Sequence, residues 1–573
     1  MRIRSLFFSM FAGLVLAGCS SEEDITSGNN GGESGEPQFL TINLVTNSTG
    51  SPLAAKAKAP GDDNATFEEG LEPENKVTKV RFYFFDASGN AAHVRNEGGQ
   101  FKNYLEWTDV LEENNQMPNV EKILSATLII QSPKGDAAPA QVVAVVNPTV
   151  NPNEERSLTS LATVAYDYQA YTESGSFVMS NSAYADNGAE KMAVSVVGKI
   201  HKTSGEALND PVEIYVERTI AKVRLNSSLT PIEGKTNIFK TSEDGSQKVT
   251  VGGTETEIYV KFLGWNTTAV SNKSRLVKDI NPSWPGNLLG TTPWNWAENF
   301  RSFWAVNASG VTYRYGAFVP DPESKPIDGN LFQAQAKTAF DKSQWVYVNE
   351  NATDYANAQE GAAPGTPTKV IISAQLVDAD GNALEFAEYG STRTTIEGLK
   401  ELFANNCGLY KKETLNGATK FTKIKPEELT VKTATAVGEA GKDVAGRYKA
   451  YVQLAEDEDK DGKWYASNNE DAAPITAATA NKQLKGLGSA KVWKDGYTYY
   501  YFDISHFGNK KGVVRNHIYD ANITNLTGLG TPVYDPEEII YPEKPKDDND
   551  TFIAAQIKIL SWRVVNSDVT LDW

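Results

Sequence analysis

Val212, Ile214 and Val216 alternate with Glu213 and Tyr215, and Ala221, Val223 and Leu225 repeat the pattern in the opposite parity. Successive side chains on a strand point to opposite faces, so such alternation marks strands with one face buried. The pattern recurs at Leu40, Ile42 and Leu44, over Val77 to Phe85, Ile123 to Ile130 and Gln141 to Val146. It returns over Glu257–Trp265, Thr368–Val377, Arg447–Leu454, Tyr497–Ile504, Val513–Ile523 and Phe552–Val565. Between these runs lie Gly, Asn, Asp and Pro clusters such as Asp86-Ala87-Ser88-Gly89-Asn90, which favour turns. The chain therefore reads as all-β with a few short helices, its strands antiparallel. Its 573 residues are too many for one ordinary core, so two β-sandwich domains are expected. The polar stretch Lys202 to Asp210 separates them, giving domains over residues 37–210 and 211–573, the second enlarged by insertions. The parity change before Ala221 requires a break near Arg218 to Ile220, because a one-residue slip turns every side chain over.

Two segments carry helical spacing. Leu158, Leu161, Ala165 and Tyr168 share a face over Ser157 to Tyr168. Ile396, Leu399, Phe403 and Cys407 share another, with Thr394 and Glu397 placed as a capping box and Gly408 as the stop. Cys407 is thus expected as a small buried hydrophobe.

The N-terminus carries an address. Arg2 and Arg4 precede an apolar run from Leu6 to Leu16, and Leu16-Ala17-Gly18-Cys19 closes it. The run is too short to span a bilayer and reads as a secretory signal over residues 1–18. A cysteine at the first mature position points to lipidation at Cys19, which would tether the precursor to a membrane. Residues 19–36, acidic and then rich in Gly, Asn and Ser, form a flexible linker.

The formal net charge is −18, and it becomes more negative once Arg2 and Arg4 leave with the signal. Nucleic acid and anionic lipid surfaces need basic partners, so neither fits. Cys407 has no second mature cysteine beyond Cys19 to pair with. His93, His201, His506 and His517 show no HExxH spacing, and no CxxC, GxSxG, phosphate loop or dinucleotide fingerprint occurs. No enzyme, cofactor or zinc site is expected. Asp457, Asp459, Asp461 and Gly462 match the first half of a calcium loop, but Asn468 stands where the bidentate Glu belongs, which favours a charged hairpin tip. Trp284, Trp294, Trp296 and Trp304 cluster with Phe300 and Phe303. A small core of their own is the expected role, with glycan stacking on Trp294 and Trp296 as the alternative.

Several segments together resemble the fimbrilins of Bacteroidales, in particular the minor (short) fimbrium subunit family. They are the lipobox at Cys19, Val216-Glu217-Arg218-Thr219-Ile220-Ala221-Lys222-Val223, Arg301-Ser302-Phe303-Trp304-Ala305, Tyr499 to Gly508, Val514-Arg515-Asn516-His517-Ile518-Tyr519, Gly528-Leu529-Gly530 and Leu560 to Val565. The resemblance implies two transthyretin-like domains and a life as a polymer subunit at the cell surface. The precursor would sit on the outer membrane through its lipid. A trypsin-like protease would then cut a loop and release the first strand, here within residues 37–58, and a neighbouring subunit's C-terminal strand would fill the groove. Lys58, or Lys56, falls where the cut would be; no arginine lies between Arg4 and Arg81, so the protease must accept lysine. Ile553, Ala555, Ile557 and Ile559 form one face of the C-terminal donor candidate. Partners would be further fimbrial subunits and an adhesion ligand, and Arg515, Asn516 and His517 would be structural. An anchor subunit that keeps its lipid, or a surface glycan-binding lipoprotein, would share the same leader.

Overall fold

The computed structural model describes the chain except residues 1–33, 48–69, 109–111, 114–119, 150–154, 168–171, 173–176, 183, 187–188, 281–304, 316–336, 353–365, 416, 435–447, 456–462, 508–509, 537–539, 541–554, 558–559, 562 and 573. Strands dominate, as the alternation requires. In the first half, β1 (Gln38–Asn47), β2 (Val80–Phe85), β3 (Tyr104–Trp107), β4 (Val120–Ile130), β5 (Gln141–Val146), β6 (Met179–Asn181) and β7 (Val212–Arg218) belong to one sheet. Its order is β3-β2-β5-β6-β7-β1-β4, with Glu112–Glu113 beyond β4. One face of this sheet closes over a single core: Val80, Phe82 and Phe84 of β2 meet Leu40, Ile42 and Leu44 of β1, together with residues of β4, β5 and β7. The sheet therefore curls over itself as a sandwich.

The other face of β2 is covered too. Tyr83 and Phe85 pack with Val143 and Val145 of β5, Leu161, Phe177, Ile220 and Leu276. Burial on both faces explains why β2 reads as a nearly continuous apolar run. Arg81 lies inside it, 1% exposed, with Nε donating to Glu106 Oε1 at 3.0 Å and its guanidinium 4.9 Å from the Tyr104 ring centre.

The second half opens with β8 (Ile220–Ser227) and continues through β9 (Tyr259–Thr268), β10 (Asp341–Asn349), β11 (Lys369–Val377), β12 (Tyr497–Asp503), β13 (His517–Thr527), β14 (Ala555–Ile557) and β15 (Arg563–Asp572). One sheet runs β10-β8-β13-β15-β14 and the other Ile238–Lys240, β9, β11, β12, Thr531–Pro532. Ala221, Val223 and Leu225 of the first face Val260, Phe262, Trp265, Ile372 and Tyr500 of the second across one core. Between β11 and β12 a smaller core gathers Leu399, Phe403 and Cys407 of one helix (Ile396–Asn406) and Ala480 and Leu484 of another (Ala477–Gly486) against Ala387, Val431, Val452 and Val492. Cys407 is buried there, and burial pushes its thiol pKa up. The N-cap of that first helix is Thr395, accepting from Gly398 N at 3.0 Å, one residue later than the spacing suggested.

Other expectations shift. Most pairings are antiparallel, but β1 with β7, β8 with β13, and β13 with β15 run parallel. The helix expected over Ser157 to Tyr168 spans only Leu158–Ala162, because Ala165 and Tyr166 pair as a strand with Arg275 and Ser274. Tertiary pairing outweighs a weak helical pattern there. The run 513–523 breaks at the turn 514–516, and 552–565 divides into β14, Leu560–Ser561 and the start of β15. The break near Arg218 to Ile220 falls at Thr219, between β7 and β8. Since β7 lies in the first sheet, sheet membership changes there rather than at residue 210, where charge and polarity alone drew the boundary.

The two halves share one turn chemistry. After β2, Asp86 Oδ1 accepts Ser88 N at 2.8 Å and Asn90 N at 2.9 Å, with Gly89 at φ +83°. After β11, Asp378 Oδ1 accepts Asp380 N and Asn382 N, each at 2.9 Å, with Gly381 at φ +95°. Both glycines hold a left-handed conformation that a side chain would strain.

Candidate functional site: the seat of the first strand

β1 is an interior strand. Its residues Gln38–Asn47 pair antiparallel with β4, and Ile42–Thr46 pair parallel with Val212–Val216 of β7. Ahead of β7 the same edge is held by His201, which exchanges both main-chain hydrogen bonds with Phe39 at 2.8 Å. Leu40, Ile42 and Leu44 are fully buried. Their opposite numbers on β4 are Leu128, Ala126 and Leu124, and Val212 and Ile214 on β7 face Ile42 and Leu44. On the other face Thr41 Oγ1 lies 3.0 Å from Thr127 Oγ1, and Ser125 Oγ donates to Asn43 Oδ1 at 2.8 Å. A short helix (Ser204–Asn209), capped at Thr203 by a reciprocal bond with Glu206, packs against β1.

Withdrawing β1 would expose three full side-chain pockets, each worth about 1.5–3 kcal/mol. It would also leave two rows of unpaired main-chain groups facing one another. A strand of matching alternation from elsewhere could fill both needs.

Past residue 69 the chain is fastened separately. Glu74, in the turn of helix Glu72–Asn75, is 1% exposed and bonds Lys222 Nζ at 2.6 Å and the Tyr347 hydroxyl. Burial and then the Glu74 charge push the Tyr347 phenol well up. Arg218 Nε donates to the Glu74 carbonyl at 3.0 Å. None of these bonds involves β1.

Two of the segments that carried the resemblance meet at this junction. Arg218 Nη1 donates to Asn516 Oδ1 at 3.2 Å, and Asn516 takes φ +56°, a left-handed turn that Asn tolerates. Arg515 is fully buried, donating to Glu350 Oε2 at 2.5 Å and to the carbonyls of Leu276 and Arg275 at 2.9 and 2.6 Å. Lys278 Nζ lies 3.2 Å from Glu217 Oε1, and burial draws the lysine pKa down. His517 Nδ1 lies 2.6 Å from the Arg515 carbonyl. Charges so deeply sunk in one patch were not foreseen from sequence; the signal was present as Glu217, Arg218 and Lys222 interrupting an apolar alternation.

The C-terminal candidate is partly placed. Ala555 and Ile557 lie in β14, an edge strand that pairs antiparallel with Ser567–Val569 of β15, and β15 lies parallel on β13. Ile553 and Ile559 lie outside the described residues, as do Cys19, Lys56, Lys58, the Asp457, Asp459 and Asp461 cluster, and Trp284 to Trp304. Among the described residues no group of His, Cys, Asp or Glu could hold a metal ion, and no helix is long and apolar enough to cross a membrane.

With this geometry in hand, the chain can be set beside known proteins. Residues 491–568, which include β12 to β14, match the family of the major fimbrial subunit protein type IV, fimbrillin, C-terminal. This segment is fimbrillin-like. Its fold-bearing strands β12 and β13 and the Arg515-Asn516-His517 turn all fall inside the match. No curated protein matches the chain in sequence. Among solved structures, a fimbrilin (FimA) from Porphyromonas gingivalis W83 is 14% identical, covers 93% of this chain and 97% of its own, and has a TM-score of 0.36. A fimbrial assembly protein from Parabacteroides distasonis ATCC 8503 is 12% identical, covers 61% and 88%, and has a TM-score of 0.28. The tip fimbrial protein Mfa3 from Porphyromonas gingivalis, with a C-terminal truncation, is 12% identical, covers 60% and 79%, and has a TM-score of 0.23. These likenesses are too loose to place any residue of this chain, and the family match is confined to its fimbrillin-like segment.

Proposed function

We propose that the chain is a structural subunit of a cell-surface fimbrium. It is exported as a lipoprotein through Cys19, cut by a trypsin-like protease after Lys58 or Lys56, and polymerised when a neighbour's C-terminal strand replaces β1. The domains divide at Thr219, and the precursor sits on the outer membrane until it is cut. The observation that carries this reading is the pairing of an interior strand with a separate anchor. β1 fills a two-sided seat, the lysines lie between it and residue 70, and the chain beyond is held at Glu74 by Lys222 and Tyr347. One cut in that connection frees β1 without loosening the anchor.

The test is replacement of both lysines, Lys56→Gln with Lys58→Gln, followed by N-terminal sequencing and mass measurement of surface protein. The wild-type chain should start at Ala59 or Ala57 within a high-mass assembly. The double variant should reach the surface and stay unpolymerised. Fibres of normal length from that variant would refute the cut site. A wild-type chain that starts at a lipidated Cys19 in a small complex would make it an anchor instead.

A further inference from the structure

The seat of β1 also specifies which residues of a donor it accepts, and in which direction. We infer that Ile557 of a neighbouring copy takes the place of Ile42, with the donor running in the sense of β1, parallel to β7. This inference rests on the donor-strand reading above.

The inner row of the seat is uneven. Along β4 it presents Leu128, Ala126 and Leu124 to positions 40, 42 and 44. The small Ala126 leaves room at the middle position, so the middle donor residue must be large, or a cavity remains. The flanking positions face leucines, so an alanine there leaves a smaller void than an alanine set against Ala126. In the C-terminal segment the inner-face series is Thr551, Ile553, Ala555, Ile557, Ile559, Ser561. Centring on Ala555 sets alanine against alanine. Centring on Ile553 or Ile559 drives the Thr551 or Ser561 hydroxyl into the fully buried Leu40 or Leu44 seat, an uncompensated polar burial. Centring on Ile557 alone places Ala555, Ile557 and Ile559 in all three seats.

The outer row agrees independently. Positions 41 and 43 lie beside Thr127 and Ser125, whose hydroxyls bond Thr41 and Asn43. The Ile557-centred alignment brings Gln556 and Lys558 there, both able to bond those hydroxyls. Centring on Ile553 instead brings Phe552 and Ala554, which cannot.

Direction follows from burial. Thr41 is 1% exposed, whereas Asn43 is only half-buried. A donor in the sense of β1 sets Gln556 at the closed position and the Lys558 ammonium at the open one. The reverse sense buries the ammonium, at a large desolvation cost. The occupant is also available: among the described residues β14 sits at the end of its own sheet and pairs with β15 alone.

The test uses cysteine pairs in surface fibres assembled from the full-length chain, whose own Cys407 is buried. Directly opposed residues of antiparallel strands stand at Cα separations of about 4.5–5.5 Å, within disulfide reach. Ala126→Cys is combined in turn with Ile553→Cys, Ala555→Cys, Ile557→Cys and Ile559→Cys. After mild oxidation the Ile557 combination should give a ladder of multimers on non-reducing gels that collapses on reduction, and the others should give monomer. Direction is read with Ser125→Cys, which should cross-link to Lys558→Cys and not to Gln556→Cys. These two pairs also carry the register test if Ala126→Cys fails to fold. A ladder from any other pair overturns the register or direction and leaves donor exchange standing. Fibres that form normally while no pair cross-links overturn donor exchange itself, and the register with it.

Discussion

Arg515→Met is the sharpest perturbation of the junction between the two halves. The guanidinium is fully buried, bonds Glu350 Oε2 at 2.5 Å and satisfies two main-chain carbonyls. Methionine fills similar volume but leaves a carboxylate, 3% exposed, without its cation. Removing one partner of a buried ion pair costs about 3–5 kcal/mol. Each orphaned carbonyl adds about 1–3 kcal/mol unless water reaches it. Lys278 feels both Glu350 and Arg515 and can take up part of the stranded charge, which offsets some of these added costs, so the expected loss is at least about 3–5 kcal/mol. Adding Glu350→Met removes the stranded charge and should recover at least about 2 kcal/mol, within the range for coupled neighbours. That double variant still loses the acceptor that Glu350 Oε1 offers to Ala305 N at 3.0 Å, so recovery should be incomplete. The assay is urea unfolding of all four members of the cycle. A loss below about 1 kcal/mol in Arg515→Met, or strict additivity in the double variant, would refute the view that this pair is a dry, coupled unit.

Three further outcomes are expected. Ile42→Ala in the uncut precursor should cost about 2–5 kcal/mol by urea unfolding, since the side chain is fully buried beside Ala126 and Val212, whereas Asn43→Ala should cost under about 1 kcal/mol; equal losses would contradict the two-faced reading of β1. Deleting residues 552–573 should leave folded chains that do not elongate, checked by electron microscopy and near-UV circular dichroism, and long fibres from the truncated chain would sink the C-terminal donor. Burial pushes the Asp503 carboxyl up, but Lys369, at 2.6 Å, and Lys511 outweigh it and hold the pKa below the ordinary value. Its stabilisation is therefore present above about pH 4 and lost as pH falls through the lower folded value. Lys369→Met should move the acid-unfolding midpoint to higher pH, and an unchanged midpoint would show that the pair adds nothing.

Much of this protein could be read from its residues alone, because side-chain alternation is a local property of a strand. Leu40, Ile42 and Leu44 announced β1 and its buried face, Gln141–Val146 appeared with its bounds intact, and the slip between Val216 and Ala221 marked the break at Thr219. The apolar run Leu6 to Leu16 ahead of Cys19 is likewise a local pattern, as is the placing of lysines at 56 and 58. What local pattern does not contain is the partner of each strand. Nothing in Gln38–Asn47 says that it runs parallel to Val212–Val216, nor that Ala126 is the small residue under Ile42. Ala165 had helical spacing with Leu158 and Leu161, yet it joined Tyr166 in a strand because Ser274 and Arg275 offered a ladder. Nothing local paired Arg218, Lys222, Glu350 and Arg515 until folding brought them, from positions far apart in the chain, into one dry junction. Alternation and turn chemistry act within a few residues, so the sequence by itself determined the strands and their faces. Register, sheet order and the pairing of buried charges depend on long-range contacts whose energy exists only once the chain has closed on itself, so the tertiary structure alone decided them.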